Sequence, residues 1–234
     1  MLSDFEIEAL LLSIKVALWA VGVGFPVAVG LALLLRQNYK SRLLIFAQFT
    51  LGLLVNVPLV VPPVVVGYAL LILFAPTGHF GSWLQELGLN PAFSWKAAAI
   101  ASMIMALPLM VRSLLQAFEA TPKIYTEVAA TLGAGPWRRF WTISLPLASG
   151  GIRTGLVLGF ARAIGEFGAT ITFAANIPGL TRTLPLALYT ASQSPGGDAG
   201  ALRLAVLCLI PAIASMALSQ YFTHRHKKHR EDRA

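Results

Sequence analysis

Residues 16–35, 43–75 and 204–222 of this chain contain not one Asp, Glu, Lys or Arg. About 20 apolar residues in a helix cross the hydrocarbon core of a bilayer, so each stretch is long enough to span one. One such run also suits a helix buried in a soluble core; three in a chain of 234 residues do not. The runs account for a charged content of 12%, half the roughly 25% of soluble domains. Two further spans are less clean. Residues 97–118 are apolar except for Arg112, and residues 150–173 carry Arg153, Arg162 and Glu166. Residues 43–75 exceed one upright helix at about 1.5 Å per residue. Pro58, Pro62 and Pro63 are expected to break them, leaving an interfacial or tilted first part and a span that ends near Ala75. The expected spans are 9–35, 56–75, 96–118, 150–173 and 203–222, an all-α polytopic membrane protein with five crossings.

Five crossings put the two ends on opposite sides, and basic residues decide which. Residues 36–42 hold three Lys or Arg, residues 112–139 four, and the tail after Phe222 five, twelve in all. The alternate loops hold only Lys96, Arg182 and Arg203. Cytoplasmic loops carry the basic excess, which places the N-terminus outside and the tail, 225–234, in the cytoplasm. The tail HRHKKHREDR suits anionic lipid headgroups better than nucleic acid, because it directly follows a span. The first residues are acidic where a cleaved leader needs a basic region.

Catalytic chemistry is absent from the pattern. No G-x-x-x-x-G-K-[ST] loop is present to cradle nucleotide phosphates, and no Ser/His/Asp or paired-carboxylate arrangement is visible. Cys208 lies alone inside the last span, which excludes an internal disulfide and makes it a packing residue. His224, His226 and His229 belong to the basic tail and bind metal adventitiously at most. The chain is expected to be neither an enzyme nor a metal protein.

The longest cytoplasmic segment contains EVAATLGAGPWRRFWTISLP, residues 127–146. Thr126 is positioned to cap a short helix with Glu127 in its first turn, where the helix dipole favours a carboxylate. Ala129 and Ala130 let another surface approach closely. Gly133, Gly135 and Pro136 end the helix and turn the chain. Trp137, Phe140 and Trp141, interleaved with Arg138 and Arg139, return it to the membrane interface. A loop lying on headgroups explains the aromatic and basic residues but not the small, acidic first half.

Glu127-Val128-Ala129, then Gly133, then nine residues and Ile143-Ser144-Leu145-Pro146, resembles the loop by which permease subunits of bacterial ABC importers engage their ATPase. The resemblance implies a type I importer permease fold over residues 1–224, with residues 121–147 as the coupling loop. It implies that Glu127, Ala129, Ala130, Gly133, Ile143, Leu145 and Pro146 serve the ATPase contact. Val128 stands where an alanine is usual. LVVPPVVVGYALL, FSW, ALPLMVR, FARAIGEFGATITFAANIPGLTRTLP and QSPGG are similar to the molybdate branch of the same family. In NIPGLTR that likeness singles out Asn176, Pro178, Gly179, Thr181 and Arg182 at the outer side, with Leu180 where a polar residue is expected. Sulfate and tungstate permeases share much of this pattern, and the stretch 165–185 separates them.

In residues 150–173, Gly151, Gly155, Gly159, Arg162 and Glu166 recur at steps of four, four, three and four. At about 100° per residue they form one stripe roughly 80° wide. Small residues there allow close helix contact, and Arg162 can pair with Glu166 across one turn. A bare charge near the bilayer centre costs about 2.5–3.5 kcal/mol, so the stripe faces protein or water. Either it lines a pathway between two copies of the chain, or it is a packed helix interface with a neutralising pair. Arg153 lies opposite and snorkels to the cytoplasmic surface.

These readings point to the membrane subunit of an importer that carries molybdate, or tungstate or sulfate by the same machinery. The implied partners are a second copy of the chain, two ATPase subunits, an extracytoplasmic molybdate-binding protein and membrane lipid, with no nucleic acid. ATP and Mg belong to the ATPase, so this chain needs no cofactor. The rival class is an ATP-independent channel or secondary carrier, whose inverted repeats would require a second copy of GEFG that the sequence lacks.

Overall fold

In the computed structural model, residues 3–231 are described; for His79 and residues 222–231 the description covers the backbone alone. The side chains of the basic tail, including His224, His226 and His229, therefore lie outside the described residues. The described residues form helices, turns and loops, with no strand among them.

Helix α1 (Asp4–Arg36) begins at Ser3, whose Oγ accepts the Glu6 N–H while the Glu6 carboxylate accepts the Ser3 N–H. That reciprocal cap satisfies two of the donors that every helix start leaves open. Helix α2 (Arg42–Val60) folds back beside it. Gln48 Nε2 donates to the carbonyls of Leu35 (2.6 Å) and Gln37 (2.9 Å), closing the end of α1. Helix α2 runs through Pro58 and stops at Val61, and α3 (Pro63–Leu73) starts afresh. The 19-residue α2 has the length and hydropathy to cross a membrane, whereas α3 is a short apolar helix. The expected stretch 56–75 is thus divided between the end of α2 and α3. A proline biases its predecessor toward extended backbone, so the consecutive Pro62 and Pro63 force a break where Pro58 alone does not. Val61 and Pro62 indeed have ψ of 137° and 133°.

After α4 (His79–Glu86), Ser94 caps the central helix α5 (Trp95–Glu119) by accepting the Lys96 N–H. More than half of α5 is buried (56% of its most apolar window), against 6% of α2 and 11% of the last helix, so the other helices are arranged around it. Helix α1 lies along it with Ala17, Ala20, Gly24, Ala28 and Ala32 buried, and a Cβ on Gly24 would sit 2.9 Å from Met103 Cγ. Small residues bring the two backbones together, and packing at interior density stabilises the pair.

The chain then forms α6 (Lys123–Thr131), α7 (Pro136–Arg139), a π-helical turn (Phe140–Ser144), α8 (Leu145–Leu147) and α9 (Ser149–Ile164). The stretch Pro136–Leu147 meets α9 at 71°. Helix α10 (Gly168–Phe173), α11 (Leu184–Ser192) and α12 (Asp198–Glu231) complete the fold. Helices α1, α2, α5 and the Asp198–Tyr221 part of α12 are long and apolar enough to cross a membrane, and the bent pair ending in α9 brings the number to five if it is counted as one span. Residues 150–173 are not one helix as expected: α9 stops at Ile164 and Glu166 lies in the break. Cys208 is half-buried and packs against the cluster of Ala9, Leu184, Ala187 and Leu204.

Candidate functional site

Three places gather the residues singled out by sequence, and one further pair emerges only from the structure.

The segment before Pro146 forms an exposed elbow. Helix α6 starts at Lys123 after Pro122, not at Thr126; Thr126 lies inside it and its hydroxyl donates to the Lys123 carbonyl. Pro122 sets the earlier start because proline fixes a helical φ and ends the preceding chain direction. Glu127 therefore sits mid-helix and exposed, Ala130 is exposed beside it, and Ala129 is half-buried. Gly133, at φ +81°, ends α6: its N–H donates to Ala130 O (3.0 Å) and that of Ala134 to Ala129 O (2.9 Å). This paired closure needs a left-handed residue, which glycine adopts without the strain a Cβ brings. Leu132 just before it is 82% exposed, and Ile124, Tyr125 and Val128 are also exposed.

The returning half anchors the elbow. Trp137 stacks on Phe140 (centroids 6.1 Å apart), which meets Trp141 edge-on and reaches buried Phe118 of α5. Arg139 Nη1 donates to the Thr126 carbonyl at 3.4 Å, tying α7 to α6. Ile143 and Leu145 are half-buried and Pro146 is exposed. An aromatic base thus carries a short helix whose Ile124, Tyr125, Val128 and Leu132 side chains are exposed.

The charged stripe divides in two. Gly151, Gly155 and Gly159 face α5: a Cβ on Gly151 would strike Ala117, one on Gly155 would lie 3.3 Å from Ser113 Cβ, and one on Gly159 2.7 Å from Met110 Cγ. Those glycine faces are occupied by the chain's own central helix. Arg162 at the end of α9 pairs with Glu166, whose side chain is 1% exposed against 26% for Arg162. Glu166 Oε1 accepts the Ala169 N–H at 2.9 Å and so caps α10. Helix α10 in turn packs on α3, where a Cβ on Gly67 would lie 2.5 Å from the Ala169 carbonyl. One carboxylate thus holds a cation, a helix start and the α3 contact. Arg153 is exposed, with its Nε donating to Ser149 O.

Between α10 and α11 the chain makes a compact loop. Ala175 (φ +63°) and Gly179 (φ +74°) turn it, and the buried Thr181 hydroxyl accepts from Ile177 N–H and donates to Ala175 O. Arg182 Nε donates to Asn176 Oδ1 and Asn176 Nδ2 to Thr190 Oγ1, both at 2.8 Å. The Arg182 guanidinium also sits over the Phe5 ring, and Pro178 is exposed. Every named residue of this loop other than Pro178 has a structural task. The loop fixes α11 against the start of α1, where Leu184 N–H donates to Ser13 Oγ.

The pair missed by sequence reading is Arg112 Nε donating to Asn56 Oδ1 at 2.8 Å, across α5 and α2. A charge and an amide inside two apolar runs are the signal that would have found it.

The family described as "Binding-protein-dependent transport system inner membrane component" matches residues 15–228. The chain belongs to that family. Relatives within it include the molybdenum transport system permease protein ModB of Escherichia coli K12, 46% identical over 222 residues and 94% of each chain. ModB of Haemophilus influenzae is 43% identical over 95% of this chain and 96% of its own. A chloroplastic sulfate permease of Chlamydomonas reinhardtii is 38% identical over 67% of this chain and 43% of its own. Among solved structures, a bacterial ABC transporter importing alginate superposes at TM-score 0.70, with 17% identity, over 97% of this chain and 80% of that one. The MetNI methionine transporter superposes at 0.67, with 16% identity, over 94% and 99%. The fold is that of a type I ABC importer permease, and the protein is a multi-pass membrane permease.

Proposed function

We propose that this permease moves molybdate into the cytoplasm as a homodimer, driven by two copies of a separate ATPase. The observation that carries the reading is the 46% identity with a molybdenum permease along 94% of both chains. An extracytoplasmic binding protein delivers the oxyanion. ATP and Mg are bound by the ATPase, and this chain is the non-catalytic subunit. Two identical copies related by a two-fold axis each supply half of the pathway.

The exposed elbow supports the coupling role. Glu127, Ala130 and Gly133 lie on an outward surface beside Leu132, which the described residues leave 82% exposed. An apolar side chain of that exposure on a short helix suits a cleft in a partner protein. Twelve basic residues against three put this elbow in the cytoplasm with the C-terminus, and the N-terminus outside.

The test is molybdate uptake into liposomes holding the permease, its ATPase and its binding protein. Uptake that needs ATP, and that tungstate and sulfate compete poorly, supports the reading. Uptake that proceeds without the ATPase establishes the channel class instead, and preferential sulfate uptake reassigns the cargo.

A further inference from the structure

We infer that Arg112, held by Asn56, is the free positive charge that meets the oxyanion on its way through the membrane; this rests on the cargo proposed above. The ion pair of Arg162 with Glu166 is self-neutralising, so it offers little net attraction to an anion. Arg112 differs. Its Nε donates to the neutral Asn56, and no carboxylate pairs with it among the described residues. Asn56 is committed to the same point, because its own Nδ2 donates to Gly52 O at 2.7 Å. The amide therefore orients the guanidinium without cancelling its charge.

Placement makes this a pathway residue rather than a surface one. Asn56 stands 14 residues after Arg42 in α2, about 21 Å along the helix, and Arg112 seven residues before the Glu119 end of α5, about 10 Å along it, so both lie within their helices' apolar runs. A helical side chain leans toward its helix N-terminus, so Arg112 leans from the Glu119 end of α5 toward the bilayer interior, away from the nearer surface. A snorkelling arginine leans the other way. The exposed line of α5 here is also polar: Arg112, Gln116 and Glu119 are all exposed and recur at helical spacing. Lipid would meet this line at a cost of about 2.5–3.5 kcal/mol for the guanidinium alone, so it faces water or the second copy. On such a face the guanidinium attracts a tetrahedral dianion, while Glu119 at the helix end opposes its retention there. The unused N–H donors of Arg112 match its oxygens in fork geometry.

Uptake by the complete complex in liposomes decides the matter. Arg112→Gln is expected to lower molybdate uptake at least tenfold, with ATPase subunits still co-purifying and ATP still hydrolysed, and Arg112→Lys to recover part of it. Asn56→Asp separates the anion contact from a mere inter-helix tie. A carboxylate beside Arg112 strengthens a tie and leaves uptake intact; on the present inference it neutralises the site, and uptake falls as with Arg112→Gln. Uptake within twofold of wild type in Asn56→Asp overturns the inference, as does the same result in Arg112→Gln. If the unaltered complex carries a different oxyanion, the cargo reading fails separately, and the same two variants are compared on the anion it does carry.

Discussion

Removing the Glu166 carboxylate is expected to destabilise the junction between α9 and α10. In Glu166→Ala the Arg162 guanidinium loses its ionic partner and the Ala169 N–H loses its acceptor. Breaking a buried pair from one side costs about 3–5 kcal/mol. The 26% exposure of Arg162 lets water recover part of that, which brings the estimate to about 3 kcal/mol, near the lower end. Glu166→Gln keeps an oxygen for the Ala169 N–H and loses only the charge, so about 1–2 kcal/mol is expected. Arg162→Ala combined with Glu166→Gln leaves no stranded cation and should be milder than Glu166→Ala. Charge reversal, Arg162→Glu with Glu166→Arg, should fail to restore stability, because an arginine at 166 cannot accept the N–H that starts α10. The measurement is reversible denaturant unfolding in mixed micelles, followed by far-UV circular dichroism. A loss below about 1 kcal/mol in Glu166→Ala, or full stability in the reversal, would refute the argument that this carboxylate holds three elements at once.

Gly133→Asp should insert normally yet lose ATPase co-purification and uptake, since among the described residues nothing beyond its chain neighbours lies within 4 Å of the new Cβ and the cost falls on the left-handed backbone and the outward face. Retained co-purification would sink the coupling assignment. Gly67→Val should lower the unfolding midpoint by separating α3 from α10, at roughly 1–3 kcal/mol for an overpacked contact, because the backbone of Ala169 cannot rotate away. Cysteines introduced at Gly81 and Gly135 should label from opposite sides of the membrane; labelling of both from one side would overturn the five-crossing orientation.

What sequence reveals here follows from how local the cause is. The apolar runs and the left-handed Gly133 are legible because span length and turn chemistry depend on a few adjacent residues. The break after Ile164 is not legible from periodicity. Residues 151–166 keep helical spacing, but the Glu166 carboxylate turns back to cap α10, a choice made by packing against α3. The stripe of glycines was geometrically sound, yet only the position of α5 reveals what those glycines touch. Pro58 shows the opposite error, since a proline that costs one hydrogen bond is tolerated when the surrounding helix is otherwise favoured. Thr126 illustrates how an earlier proline outcompetes a plausible hydroxyl cap.

The joins between the first helix and the last quarter of the chain set a timetable for biogenesis. Ser13 receives its donor from Leu184, 171 residues later, and Glu6 pairs with Arg203, 197 residues later. At a synthesis rate of about 5–20 residues per second, Glu6 waits about 10–40 s for its cation. During that interval the Glu6 carboxylate has the Ser3 N–H of its own helix cap but not yet its cation. A chain that ends before Arg203 never forms the pair, so the first and last long helices are joined there only once synthesis is nearly complete.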